Sequence, residues 1–298
     1  MAPFGFGDVF TAWVLSPVGT ALAVLLGGAY AAAVWTLRRR HEPVPVLRVI
    51  TYAVLGIGTL VLATDGGLAA FRDTSFVAAA AQSGVLAAIT PVGLALGDPV
   101  GLGLRAVGPV RAAAVREFLG GRVARVLMFP LVGSVVATGV HLAMFVTPWL
   151  ARSLELGWLR ELTYLLLVGT GLLFVLPLLA DELAPAWCTP GVRVLIGFGD
   201  GLLDAVPGVV VMASPALLGA PVAAYLAARD PLFQQHVGGG AMFGLAEAVG
   251  LPLLAATVAA WVRADRVEAA LVDARLDLEP ASDRPWWESD PRYGGPGR

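Results

Sequence analysis

Seven separate stretches of the chain are apolar for about 20 residues each, the length a helix needs to cross a hydrocarbon layer roughly 30 Å thick. They cover residues 14–37, 46–63, 75–96, 123–146, 159–180, 192–212 and 239–262. Lipid offers no partner to a backbone N–H or C=O, so each stretch must satisfy itself as a helix, and the abundant Gly and Ala let such helices pack closely. The predicted fold class is therefore all-α: a polytopic membrane protein, a seven-transmembrane-helix bundle. Hydrophobic residues make up 57% of the 298 and charged ones 14%, too few polar groups to cover a soluble domain of this size. Residues 1–263 read as one transmembrane domain. Residues 264–298 read as a tail that continues helically past Arg263, Arg266 and Glu268 and turns disordered from about Pro280.

Every one of the 20 basic residues is arginine, and their placement predicts orientation. Arg38, Arg39, Arg40 and Arg48 flank the first connection, Arg105, Arg111, Arg116, Arg122 and Arg125 the third, and Arg193 the fifth; six more, from Arg263 onward, follow the last span. The alternate connections hold only Arg72, Arg152, Arg160 and Arg229. The positive-inside rule then places the N-terminus outside and the C-terminus in the cytoplasm. The charges sit in connections and tail and form no nucleic-acid patch. No basic residue precedes the first span, which reads as a retained anchor and not a cleaved signal. Residues 101–122 mix aliphatics with arginines and fit either a short helix on the inner membrane surface near anionic head groups or a solvated loop. The single cysteine, Cys188, has no intrachain disulfide partner and no CxxC neighbour, and reads as structural.

An ionisable side chain inside a span costs roughly 2.5 to 3.5 kcal/mol on insertion scales, which makes its position a functional hypothesis. Three acids qualify. Asp200 and Asp204 are one turn apart on the sixth span and share a face, and Glu247 lies in the seventh. They serve either as a functional set or as structural partners of Arg160 and of hydroxyls on neighbouring helices. Of the three histidines, His141 and His236 fall in the half of the bundle predicted to face outward, and His41 in the other. His141 with Met144, and His236 with Met242, offer imidazole and thioether, a ligand set suited to cuprous copper; the bland alternative is core packing. The GxSxG, HExxH and GxxxxGK[ST] patterns are absent, and Gly238, Gly239 and Gly240 lack the preceding strand that a nucleotide loop requires. No nucleophile and base pair can be named, so the expectation is a protein that binds and does not catalyse.

Several pieces, in order, resemble the CtaG-type assembly factors of bacterial cytochrome c oxidase. Gln82-Ser83, Thr90-Pro91 and the run from Gly97-Asp98-Pro99 to Leu104-Arg105-Ala106 look like that family's third span and the loop after it. Gly171-Leu172-Leu173-Phe174 with Pro177 is similar to its fifth span, and Pro207-Gly208 through Met212 to its sixth. Gln234-Gln235-His236 followed by Gly238-Gly239-Gly240 and Glu247 resembles its Asp-Gln-Gln, glycine and Gly-Glu pattern. The resemblance implies a seven-helix protein of the bacterial plasma membrane, related to oxidase assembly or copper handling, with oxidase subunits or copper-handling proteins as partners besides the lipid bilayer.

The departures fall on the family's presumed ligands. A histidine pair of the third span is replaced by Ala79-Ala80-Ala81-Gln82-Ser83, histidine positions of the fifth by Arg160 and Tyr164, and one of the sixth by Asp204. These implied positions share the outward half of their helices. The expectation is one polar pocket of Gln82, Ser83, Arg160, Tyr164, Asp200, Asp204, Gln235 and Glu247, with Arg160 and Asp204 paired and copper held weakly or not at all. A new soft site of His141, Met144, His236 and Met242 is the alternative. Two further functions stay open: a structural or regulatory subunit of a membrane complex, and a proton-coupled small-solute transporter using the three acids. Against the latter stand the lack of an inverted repeat and of paired broken spans.

Overall fold

In the computed structural model three helices begin on a side-chain cap, at Ser16, Ser75 and Asp98. The structure describes residues 5, 7–119, 121, 129–179, 189–220 and 222–278. The start of the fourth expected span, Arg122, Arg125, Asp181, Glu182, Cys188 and the tail beyond residue 278 lie outside the described residues. Helix α1 (Pro17–Arg39) opens on Ser16, whose hydroxyl accepts the Gly19 N–H at 3.0 Å, with Pro17 in the first turn. α2 (Val46–Phe71) is interrupted at Asp65 and Gly66, and α3 (Phe76–Leu96) is capped by Ser75. Asp98, in the left-handed region at φ 53°, caps α4 (Pro99–Val107) by accepting the Gly101 N–H at 3.0 Å. Gly108, at φ +82°, turns the chain into α5 (Pro109–Leu119), so the described residues from 101 to 119 are helical on either side of it.

Beyond these come α6 (Pro130–Val146), α7 (Trp149–Glu155), α8 (Gly157–Leu179), α9 (Pro190–Ala213), the single turn α10 (Ala223–Leu226) and α11 (Pro231–Leu278). No strand occurs among the described residues. Among the described residues, six helices are long and apolar enough to cross a membrane. The stretch Leu131–Val146 with Trp149–Glu155, bent by 74°, makes a seventh if counted as one span. The fourth expected span, residues 123–146, is one unbroken helix over its described part, Pro130–Val146. α11 runs without a break through Arg263 to Leu278, 48 residues in all, about 72 Å at 1.5 Å per residue, so its last turns project beyond any bilayer that its first half crosses.

Two helices carry wider turns. α2 is a π-helix over Tyr52–Gly58 and α3 over Val85–Ile89. In α3 the cause is local: Pro91 has no N–H to offer the preceding turn, and the i→i+5 pattern just ahead of it absorbs the mismatch. The two helices cross where Gly93 meets Leu55 and Gly56. A Cβ on Gly93 would lie 2.2 Å from the Leu55 carbonyl carbon, so only glycine permits the approach. The Thr59 and Thr90 hydroxyls pair beside it at 2.8 Å.

The helices run back and forth, which gives the bundle two distinct ends. At one, Asp65 accepts the Ser16 N–H at 2.8 Å and the Thr20 and Thr64 hydroxyls at 2.8 and 2.7 Å, while Ser16 Oγ donates to Glu161 at 2.6 Å. At the other, Arg48 pairs with Asp98 at 2.5 Å, Arg40 donates to the Arg105 carbonyl at 3.1 Å, and Tyr30 donates to the Gly97 carbonyl at 2.9 Å. These are called the Asp65 end and the Asp98 end below. The main core between them gathers Leu37, Leu60, Leu86, Leu102, Met144, Tyr164, Leu167 and Met242.

Candidate functional site

The largest fully buried side chain among the described residues is a cation. Arg72, 1% exposed, follows α2 at the Asp65 end. Its Nη1 donates to the Tyr164 hydroxyl of α8 at 3.0 Å and its Nη2 to Ser153 Oγ of α7 at 2.8 Å. Gln82 of α3 donates to the same Tyr164 oxygen at 3.0 Å and to the Ala63 carbonyl at 2.6 Å. The Tyr225 hydroxyl of α10 donates to the Arg72 carbonyl. Two helices, α7 and α8, thus hold the guanidinium directly, α3 braces the Tyr164 oxygen and α10 the Arg72 backbone; the nearest carboxylate, Asp73, lies 3.8 Å from Nε and is itself exposed. Burial pushes the Tyr225 hydroxyl up from its ordinary range, against the opposing pull of the Arg72 charge.

The expected single pocket divides in two. Gln82 and Tyr164 meet as anticipated from their shared half of the bundle. Ser83 turns its hydroxyl back to the Ala80 carbonyl of its own helix at 2.8 Å. Arg160 lies 3.7 Å from its neighbour Glu161, and its expected pairing with Asp204 is not formed. The reason is positional: Arg160 is in the first turn of α8, beside Glu161, whereas Asp204 is in mid-helix on α9. Arg72 occupies the place that sequence reasoning gave to Arg160. The available signal was an arginine at the end of an apolar run in an arginine-poor connection.

The second group lies between α6, α9 and α11. Asp200 accepts the Ser134 hydroxyl, and Thr138 donates to the Leu203 carbonyl at 3.3 Å. Asp200, Asp204, His141 and Met242 line a cleft of about 50 Å³; Asp200, Asp204, Glu247 and Thr257 line its neighbour of about 20 Å³. Among the described residues no arginine or histidine comes within ion-pair distance of these three acids.

The four soft ligands do not converge. His141 and Met242 share the cleft, but Met144 packs in the apolar core. His236 Nε2 is 2.9 Å from the Ser214 carbonyl; a carbonyl only accepts, so Nε2 carries the proton and is closed to a metal. Gln235 holds the loop before α10, accepting the Leu218 N–H at 2.8 Å and donating to the Ala216 carbonyl at 3.1 Å. No group of three or more His, Cys, Asp or Glu side chains is placed to hold a metal among the described residues. The Arg72 network fits copper poorly by its chemistry: the Tyr164 oxygen already accepts two N–H donors, and a guanidinium repels a cation. Sequence reasoning also missed a cleft of about 890 Å³ at the Asp65 end, walled by Phe76, Phe145, Leu218, Tyr225 and Gln235.

Fold and site define a multi-span helical membrane protein with polar groups held between its helices. It belongs to the cytochrome c oxidase caa3 assembly factor (CtaG) family, whose model matches residues 28–264. The chain is 28% identical over 287 residues to the uncharacterized proteins Mb0105 of Mycobacterium bovis and MT0111 of Mycobacterium tuberculosis. It is 25% identical over 286 residues to the uncharacterized protein ML1998 of Mycobacterium leprae. Each match covers 92% of this chain and 43% of the relative, so the chain spans less than half the length of these curated relatives. No solved structure matches it.

Proposed function

We propose that this protein takes part in cytochrome c oxidase assembly in the bacterial plasma membrane by binding and not by catalysis, with a degenerate position where its family's copper ligands would stand. The reading rests on family membership, and one observation carries its finer part. Tyr164, at a position that the resemblance gives to a histidine, has both oxygen lone pairs taken by Arg72 and Gln82. A hydrogen-bonded lock thus replaces a coordination site. The arginine distribution supports placing the Asp98 end in the cytoplasm and the Asp65 end, with its cleft, outside. Oxidase subunits or copper-handling proteins are the partners this assigns.

Two measurements test the reading. Loss of the gene is expected to lower the amount of assembled oxidase, with recovery on return of the wild-type chain; undiminished oxidase removes the assembly role. Elemental analysis and cuprous titration of the purified protein are expected to find well below one copper per chain, unchanged in His141→Ala and His236→Ala. A tightly held copper lost in either variant overturns the degenerate site.

The three acids, with no cationic partner among the described residues, favour one other reading, a proton-coupled transporter of small solutes with Asp200, Asp204 and Glu247 as the relay. Solute uptake by vesicles bearing Asp204→Asn tests it, and unchanged uptake counts against a relay.

A further inference from the structure

The Asp98 end presents arginines whose charge no carboxylate among the described residues balances. Arg48 is taken by Asp98, and Arg105 faces Glu42 at 3.9 Å. Arg38, Arg39 and Arg40, at the C-terminal end of α1, and Arg111 and Arg116, on α5, are exposed and have no carboxylate within ion-pair distance among the described residues. The two sets are brought to one end because α4 packs on α1, burying Leu102 and Leu104, and Arg40 donates to the Arg105 carbonyl at 3.1 Å.

The same surface is apolar in a pattern that an aqueous face would not tolerate. On α5, Val110 is 83% and Phe118 78% exposed; eight residues apart with Ala114 between them, they fall on one side of the helix. Arg39 lies over the ring of exposed Trp35, its guanidinium carbon 3.7 Å from the centroid, and tryptophan with arginine is the usual composition at the level of lipid head groups. Ala112, on the opposite side of α5, is buried. Exposed aliphatic and aromatic side chains beside unpaired guanidinium groups match one environment, acyl chains beneath a layer of phosphate. The planar fork of arginine suits phosphate oxygens better than an ammonium does.

We propose that the Asp98 end is a binding surface for anionic phospholipid, with Arg38, Arg39, Arg40, Arg111 and Arg116 on the head-group phosphates and Val110 and Phe118 among the acyl chains. The surface retains phosphatidylglycerol or cardiolipin in preference to a zwitterionic lipid of the same chain length.

The test uses the full chain reconstituted in nanodiscs of phosphatidylcholine alone or mixed with phosphatidylglycerol, with lipid retained on extraction counted by native mass spectrometry. Wild type is expected to keep anionic lipid selectively. Arg38→Gln/Arg39→Gln/Arg40→Gln and Arg111→Gln/Arg116→Gln are expected to weaken that preference roughly fivefold for each arginine removed. Arg275→Gln, in the last turns of α11 that project past the span, is the control and is expected to weaken it far less. If a variant does not fold, the wild-type protein still decides: its selectivity is expected to fall as salt rises. Equal retention of both lipids by wild type, selectivity indifferent to salt, or variants that retain anionic lipid as well as wild type each overturn the proposal. So does an acidic protein that co-purifies in pure phosphatidylcholine and is lost from the same variants.

Discussion

The Tyr164 hydroxyl lies 3.0 Å from Arg72 Nη1, across 92 residues of chain, and the guanidinium carbon sits 5.5 Å from the centre of the same ring. Tyr164 is the acceptor that makes a buried arginine tolerable where the nearest acid is exposed. Tyr164→Phe removes that acceptor from Arg72 and Gln82 together. The expected loss is about 1.5–3 kcal/mol of stability, read in a reversible SDS titration. A cycle with Arg72→Lys should show coupling of about 1 kcal/mol, and additive effects would mean the two residues do not act together.

The crossing of α2 and α3 gives a steric prediction. Gly93→Ala forces a methyl to within 2.2 Å of the Leu55 carbonyl carbon and 2.4 Å of the Gly56 nitrogen, and is expected to cost about 1–3 kcal/mol through overpacking. Gly139 of α6 has nothing within 4 Å of an added Cβ, so Gly139→Ala should leave stability unchanged or raise it by up to about 1 kcal/mol, the difference in helix propensity. Thermal unfolding of both variants in one detergent checks the contrast.

These two sites also mark how far the sequence can be read. Run length alone located the apolar helices, because 20 apolar residues have one stable arrangement in lipid. It did not reveal the π turns at Tyr52–Gly58 and Val85–Ile89, since an apolar run of a given length fits i→i+4 and i→i+5 turns alike. The resemblance directed attention to Gln82 and Tyr164, which do meet. It could not point to Arg72, whose burial depends on α7 and α10 folding over it from 81 and 153 residues away. Asp65 escaped notice for the same reason: its ligands come from Ser16 and Thr20, and one carboxylate at a span boundary looks like any other until those partners arrive.

Tyr225 provides a pH dependence outside the spans. Burial raises its hydroxyl above the ordinary value of 10.0, Arg72 lowers it and Asp73 adds to the rise. The unfolded tyrosine therefore loses its proton first as pH rises. Its contribution to stability is complete below about pH 10 and is lost progressively above that value, as pH approaches the folded one. Tyr225→Phe should cost about 1 kcal/mol at neutral pH through the missing bond to the Arg72 carbonyl. The stability difference between wild type and this variant should shrink between about pH 8 and about pH 11. A difference constant over that range would mean that the hydroxyl is solvated in the folded protein.

The acids of α9 and α11 make the opposite prediction to the Arg72 network. Asp200 has the Ser134 hydroxyl as a donor, so Ser134→Ala leaves a buried carboxyl group short of a bond and should cost about 1–2 kcal/mol. Asp204 and Glu247 line one cleft, and carboxyl groups between helices with no counter-charge among the described residues are a burden on the fold. Asp204→Asn keeps the size and removes one charge. Stability should therefore hold or rise by about 1 kcal/mol, since an uncompensated buried charge is what makes such sites costly. Unfolding of both variants at one neutral pH separates the cases. A large loss in Asp204→Asn would show that its carboxylate holds a cation in the folded protein, and the transport reading would then gain a ligand.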